Sequence, residues 1–204
     1  MPSTAAPYGL IPMDMAGGTP KGVANGYILT TNTATAFFEG DVVNMGAGVL
    51  TPVAATPTTT RNGNTPWGIF AGCSYYTGPS GQGFVNSNTF PAAGYTAYSS
   101  YGPITLYIYD DPYMEMKVQS SATVAATALG KKAALGNFGG STTTGKSTVY
   151  LDASTINTTN TLAVTIKRFS PDSVRGTGTP AATYVDLIVV WNQNVHALTN
   201  ILGV

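Results

Sequence analysis

The sequence predicts a mainly β fold, a sandwich or barrel, on three observations. Short runs rich in Val, Ile, Tyr and Thr recur along the whole chain, and Gly, Pro and Asn punctuate them at close intervals. Only one stretch, SATVAATALG (residues 121–130), is dense enough in Ala for a helix, and its β-branched residues keep that helix short.

Taken in order, the first 20 residues set Tyr8, Leu10, Ile11, Met13 and Met15 among prolines and glycines with neither helical nor strand period. The expectation is an extended N-terminal arm with apolar anchors, broken too often by Pro7, Gly9 and Pro12 to build a helix or join the central sheet. Residues 21–204 then form a single β-rich body, in which residues 120–147 could make a small subdomain. Its strands are expected in GYILTTNT (26–33), GDVVNMGAGVLTPVA (40–54), TPWGIFAGCSYY (65–76), GYTAYSS (94–100), PITLYIYD (103–110), YMEMKVQS (113–120), STVYLDAS (147–154), LAVTIKRFS (162–170) and ATYVDLIVVWN (182–192). Residues 56–64, 77–88, 136–146 and 176–180, long in Thr and Gly, read as exposed loops. No repeat recurs at a fixed period.

Composition narrows the function class. With 204 residues, 43% of them hydrophobic, the chain can bury a real core. Only 9% are charged, nine bases against nine acids. Such a surface has no electrostatic reason to seek nucleic acid or anionic membrane, and an uncharged surface tends to associate with other protein. The N-terminus lacks the basic and continuous apolar regions of a secretory signal, and no apolar run approaches 18 residues. The single Cys73, among apolar neighbours in GIFAGCSYY, is expected as a buried filler rather than a reactive thiol.

GSTTTGKS (residues 140–147) fits the phosphate-loop pattern G-x-x-x-x-G-K-[ST] letter for letter. That loop works when a buried apolar strand enters it and a helix leaves it, so that backbone N–H groups face the phosphates. Here KKAALGNFG precedes it with no apolar run, and TVYLDAST follows with the period of a strand. A Gly/Thr turn leading into a strand is the expected reading. Which other segment could offer a Mg²⁺ carboxylate stays open, since Asp152 follows too closely and Asp186 lies inside its run.

The acidic cluster in LYIYDDPYMEMKVQ is weighed in the same way. Asp110, Asp111 and Glu115 could form a cation site, but Asp111-Pro112 is a turn signal. After it Met114, Met116 and Val118 alternate with Tyr113, Glu115 and Lys117, which makes Glu115 and Lys117 a solvated pair. His196 is the only histidine, with no catalytic or metal motif near it, and is expected as a polar contact. The basic pairs Lys131-Lys132 and Lys167-Arg168 lack aromatic platforms for nucleic acid. No catalytic, cofactor-binding or metal residue is assigned.

Four stretches together resemble tailed-bacteriophage virion proteins of the kind that decorate or cement the head. They are PYGLIP (7–12); GDVV (40–43) followed by GVLTPVA (48–54) and TPWGIFAGCSY (65–75); DDPYMEMKVQ (110–119); and TGKSTVYLD (144–152) leading to LAVTIKRFSPDS (162–173) and a last strand closing on WNQNVH (191–196). The sequence departs from that pattern in carrying few charges even in its loops. The resemblance implies a β-barrel or β-tulip-like body, a homo-oligomer and often a trimer, made in the host cytoplasm and bound to the major capsid protein at the virion surface. It also implies that TGKS is the turn before a strand.

Cementing a shell needs many shallow contacts across subunit seams and no catalytic group. Pro7, Tyr8, Leu10, Ile11, Met13 and Met15 of the arm are the expected capsid or subunit contacts. Two other readings carry weight: another virion part, such as a minor coat, tail or fibre module, and a carbohydrate-binding host-adhesion module using the tyrosines of YTAYSSYG (95–102).

Overall fold

The computed structural model describes residues 5–15, 24–33, 35–46, 48–54, 65–79, 82–173 and 183–199, without the side chains of Asp14 and Met15. The loops expected at 56–64 and 176–180 lie outside the described residues.

Two six-stranded antiparallel sheets dominate, as a mainly β sandwich-like body rather than a closed barrel. The first half of the chain builds one of them. Strands β2 (Asn25–Ile28), β4 (Val42–Gly46), β5 (Val49–Pro52), β6 (Gly68–Tyr76), β7 (Phe84–Ser87) and β9 (Thr105–Tyr109) form sheet B in the order β2-β9-β6-β4-β5, with β7 also on β6. Two short strands, β3 (Phe37–Phe38) and β8 (Thr89–Phe90), pair beside it. The second half builds sheet A from β10 (Met114–Gln119), β11 (Lys132–Gly136), β12 (Tyr150–Asn157), β13 (Val164–Phe169) and β14 (Asp186–Trp191), with β1 (Ile11–Met15) at one edge. Its order is β1-β10-β14-β13-β11-β12, and it curls far enough for Leu151 of β12 to bridge Ser120 at the end of β10.

Alternation fixes which side each strand buries. Met114, Met116 and Val118 of β10, Leu187, Val189 and Trp191 of β14, and Val164 and Ile166 of β13 face one core. Val42, Val53 and Ile69 of the sheet B half of the chain reach into that same core, so the two sheets share it. Val124, Ala128, Ala133 and Leu135 from the 120–147 segment belong to it as well. The opposite face of sheet B buries Val43, Phe70, Cys73, Leu106 and Ile108 under Phe37 and Phe90. Aromatic contacts close this second core: Phe37 lies 5.3 Å from Phe70 and Tyr75 is edge-on to Phe90 at 5.5 Å.

The structure corrects several expectations. GYTAYSS is a single helical turn, α1 (Gly94–Tyr98), because Tyr95 and Tyr98 at i, i+3 fall on one side and pack on the second core. The loop expected over 77–88 contains β7, and KKAALG supplies β11. The helix expected over 121–130 is only a 3₁₀ turn at Ala126–Ala128.

The arm is corrected too. Over its described residues it is no separate appendage, since Ile11 and Pro12 pair with Lys117 and Met116 in sheet A. Proline is tolerated there because β1 is an edge strand, where an N–H need not be donated to the ladder, and an irregularity between Pro12 and Met15 absorbs the misfit.

Candidate functional site

The phosphate-loop pattern lies at a junction of several segments, and five of its eight backbone N–H groups, those of Ser141 and Thr144 to Ser147, are already committed. Within it Ser141 N–H donates to the Lys146 carbonyl at 2.9 Å and Gly145 N–H to the Ser141 carbonyl at 2.8 Å. Ser147 N–H donates to Glu39 O and Thr148 N–H to Gly139 O, each at 2.8 Å. The side-chain oxygens of Ser141 and Thr144 accept from the amides of Thr144 and Lys146. Lys146 Nζ rests 2.8 Å from Glu39 Oε1, and Ser147 is fully buried with its hydroxyl on Gly139 O. The chain then enters β12, not a helix. The amides of the GKS end, Gly145 to Ser147, which would have to face a phosphate, serve the turn instead.

Against this turn Gly9 and Gly40 meet back to back. A Cβ on Gly9, whose φ is +81°, would stand 2.7 Å from Ser147 Cβ and 2.8 Å from Gly40 O, so only glycine fits. The close approach lets Leu10 N–H donate to Gly40 O at 3.0 Å and sends the Leu10 side chain into the shared core, 1% exposed. Asp41 is buried at the same junction. Burial pushes its carboxyl up to about 6, against the lowering influence of the neighbouring Ser147 hydroxyl and of the Phe38 N–H, which donates to it at 2.8 Å. A cleft of about 350 Å³ opens beside the junction between Tyr8, Leu10, Glu39, Phe70, Tyr109 and Lys146.

The three acids of the LYIYDDPYMEMKVQ stretch separate into different tasks. Asp111 accepts Tyr113 N–H at 2.8 Å, the expected turn. Asp110 accepts the Asn25 amide at 2.9 and 3.0 Å and the Tyr27 hydroxyl, which itself accepts Trp67 Nε1–H at 3.2 Å. Glu115 is not in a solvated pair with Lys117. It is 3% exposed, with Lys167 Nζ 2.6 Å from one oxygen and Arg168 Nη2 2.7 Å from the other.

A bulge explains this grip. Ile166 pairs with Val189 but Arg168 with Ile188, so Lys167 is the extra residue and two consecutive side chains reach the same face. Burial alone would raise the Glu115 carboxyl, but the hydrogen bonds and charges of Lys167 and Arg168 outweigh it and hold it below the usual range. Lys117 instead lies 2.5 Å from Asp172 and 3.3 Å from Asp186, and Asp186 also accepts the Tyr8 hydroxyl at 2.7 Å. This ionic face gathers six of the chain's 18 charged residues (nine basic, nine acidic). The signal for it in the sequence was the lost alternation at Lys167-Arg168.

Other candidates are absorbed into the fold. Cys73 is buried, its thiol pushed up to about 12 by that burial. His196 makes the expected polar contact, its Nδ1 accepting Leu198 N–H at 3.3 Å, and does so as a fully buried core residue lowered to about 4 by desolvation. In the tyrosine loop Tyr98 stacks on Tyr75 at 4.7 Å and Tyr95 packs on the second core, which leaves Tyr101 as its exposed ring. Among the arm residues Leu10 is in the core and Tyr8 is tied to Asp186. Ile11 is exposed, Pro7, Pro12 and Met13 are half-buried, and the Met15 side chain lies outside the described residues.

Sequence reasoning missed the most distinctive surface. Strands β7, β6, β9 and β2 are adjacent and carry no charged residue. The side of them that buries Ile69 toward sheet A continues as Tyr107, Ser74, Thr105 and Tyr76, with Ser74 Oγ 3.0 Å from the Tyr107 hydroxyl. It ends in two exposed apolar residues, Phe84 at 56% and Ile28 at 64%.

Among the described residues no group of three His, Cys, Asp or Glu side chains is placed to hold a metal ion, and no helix is long and apolar enough to cross a membrane. No protein-family model, curated protein or solved structure matches the chain.

Proposed function

We propose that the protein is a non-enzymatic structural component of a tailed-phage virion that decorates and cements the capsid by binding across subunits of the major capsid protein. The observation that carries the reading is the uncharged four-strand face ending in Phe84 and Ile28. Hydroxyl and apolar groups on a rigid sheet can seat against a coat surface without stripping water from any charge, and repeated copies multiply a modest contact. The groups that would have suited catalysis add support by their placement. The GKS turn has committed its amides, Cys73 and His196 are buried, and Glu115 is held by two cations.

The homotrimeric state and the position at the virion surface rest on the sequence resemblance. The coat contact is assigned to the sheet face, with Ile11, Pro12 and Met13 as the accessible part of the N-terminal segment, because Leu10 has no surface left to offer. Cryo-electron microscopy of particles assembled with the protein is expected to place its density on the capsid. Co-sedimentation of Phe84→Glu with emptied heads is expected to show binding weakened about tenfold or more, since a buried apolar anchor commonly carries about 2 kcal/mol. Density confined to the tail, or wild-type head binding by Phe84→Glu, would overturn the reading.

A further inference from the structure

We infer that the edge of β2 with which no other described strand pairs joins β2 of a second copy of this chain, antiparallel about a two-fold axis, with Tyr27 opposite Tyr27. This goes beyond the coat-binding reading and does not rest on it, because the contact is between copies alone.

Hydrogen-bond phase decides which groups face outward. Leu29 N–H donates to Ile104 O at 2.9 Å, one step beyond the Ile28–Thr105 pair, so Leu29 is in a hydrogen-bonded pair with β9. Antiparallel pairs alternate, which assigns Tyr27 and Asn25 to the bonded pairs and turns the N–H and C=O of Gly26 and Ile28 toward the open edge. Asn25, Gly26 and Ile28 are all exposed. Among the described residues no backbone group bonds those outward groups, and another extended strand can satisfy all four at once.

The side chains select a second β2 as that strand. A two-fold normal to the sheet keeps each face on its own side, so Gly26 can lie opposite Ile28 of the other copy, and Ile28 opposite its Gly26. Both pairs use outward-facing groups, each exchanging two backbone hydrogen bonds. The exposed Ile28 then covers the bare backbone of Gly26, where the Thr105 methyl and the Tyr107 ring stand 3.1 and 3.7 Å from the place a Cβ would occupy. β2 and β9 carry no charge, and the carboxylate that touches β2, Asp110, is already hydrogen-bonded to the Asn25 and Tyr27 side chains.

Other edges are guarded or lack this fit. Strand β1 contains Pro12 and an irregular register, β5 ends in Pro52, and β12 is bulged against β11 and turned toward Ser120. Strand β7 is uncharged but has no glycine to receive Phe84. β2 has neither charge, proline nor bulge.

A four-residue edge is a small contact, in the transient class below about 1,200 Å², so association between isolated chains is read at high concentration. Sedimentation equilibrium of the full chain is expected to show a doubling step, monomer to dimer or trimer to hexamer, with Kd of about 1 mM or tighter. Hydrogen exchange at the Gly26 and Ile28 amides is expected to slow as concentration rises. Ile28→Pro removes one outward donor without removing a bond to β9, and Ile28→Lys places a charge on the edge while keeping that donor. Each is expected to weaken association about tenfold or more while leaving the melting transition within a few degrees, and the Lys variant decides the matter if the Pro variant does not fold. A wild-type chain that shows no doubling step up to about 1 mM, or a doubling that survives in Ile28→Lys with unprotected Gly26 and Ile28 amides, overturns the proposal.

Discussion

Leu10→Ala tests whether the N-terminal segment is a structural clasp. The Leu10 side chain is 1% exposed and packs with Met114, Met116 and Val42, and its backbone is pinned by the bond to Gly40 O and by the tight Gly9–Ser147 approach. Truncating a fully buried Leu costs about 2–5 kcal/mol, the upper part of that range applying where the walls cannot collapse. Two glycines packed back to back leave little room for collapse, so about 3 kcal/mol is expected. For a chain of this length that corresponds to a fall in Tm of roughly 6–12 °C. Ile11→Ala, at a position 40% exposed, is the control and should cost under about 1 kcal/mol. Deleting residues 1–15 should destabilise more than Leu10→Ala, because it also removes the β1–β10 pairing and the Tyr8–Asp186 bond. Urea titration and calorimetry read all three. If Leu10→Ala melts within about 1 kcal/mol of wild type, or the truncated chain keeps its full stability, the segment is an appendage and the clasp is refuted.

Lys146→Ala should change stability by less than about 1 kcal/mol, since its pair with Glu39 is exposed on both sides, and Mg²⁺-dependent ATP binding by the wild type in calorimetry would contradict the committed amides of the turn. Glu115→Gln leaves Lys167 and Arg168 without a counter-charge and should destabilise by about 1–3 kcal/mol in urea titration, whereas Lys117→Met should leave Glu115 titrating as in wild type by carbon-detected NMR. Two buried groups pull the pH profile in opposite directions. His196 falls from 6.5 to about 4 on folding, so the unfolded chain takes up its proton first and acidification from 6.5 to 4 removes about 3 kcal/mol. Asp41 rises from 3.8 to about 6, so the folded chain takes up the proton first and acidification from 6 to 3.8 returns about 3 kcal/mol. Asp41→Asn should therefore steepen the loss of stability between pH 6 and 4, measured as urea midpoints, and a profile with wild-type slope would show that Asp41 is not protonated in that window.

Strands with clean alternation were legible: TLYIY and MEMKVQ announce β9 and β10 by the period of their apolar residues, whereas GDVVNMGAGVLTPVA, expected as one run, is folded into the β4–β5 hairpin. The expected turn at 140–147 also followed from its flanks. What failed depended on long-range geometry. The β1 segment has no strand period because its partner, and the glycine that receives Leu10, lie far along the chain. Glu115 and Lys117 look like a pair because they are two residues apart, yet a bulge on β13 supplies the partners of one and the region around Asp172 those of the other. His196 gave no sign of burial, since the residues that cover a side chain are not its sequence neighbours. The uncharged face of sheet B was hidden for a related reason: each strand looks ordinary alone, and only their adjacency makes a surface.

The strand order of sheet A bears on how the polypeptide emerges during synthesis. Its middle strand, β14, is made last, while β1 at its edge is made first. At about 5–20 residues per second, some 10–40 s separate the appearance of Leu10 from that of its neighbours on β14. Sheet B, whose strands end at Tyr109, is fully synthesised well before then, but its Ile69–Tyr109 side has no sheet A to pack on. The nascent chain thus carries a paired sheet with one apolar side uncovered until β14 slots between β10 and β13, and a ribosome stalled after β13 would hold a product dependent on chaperones.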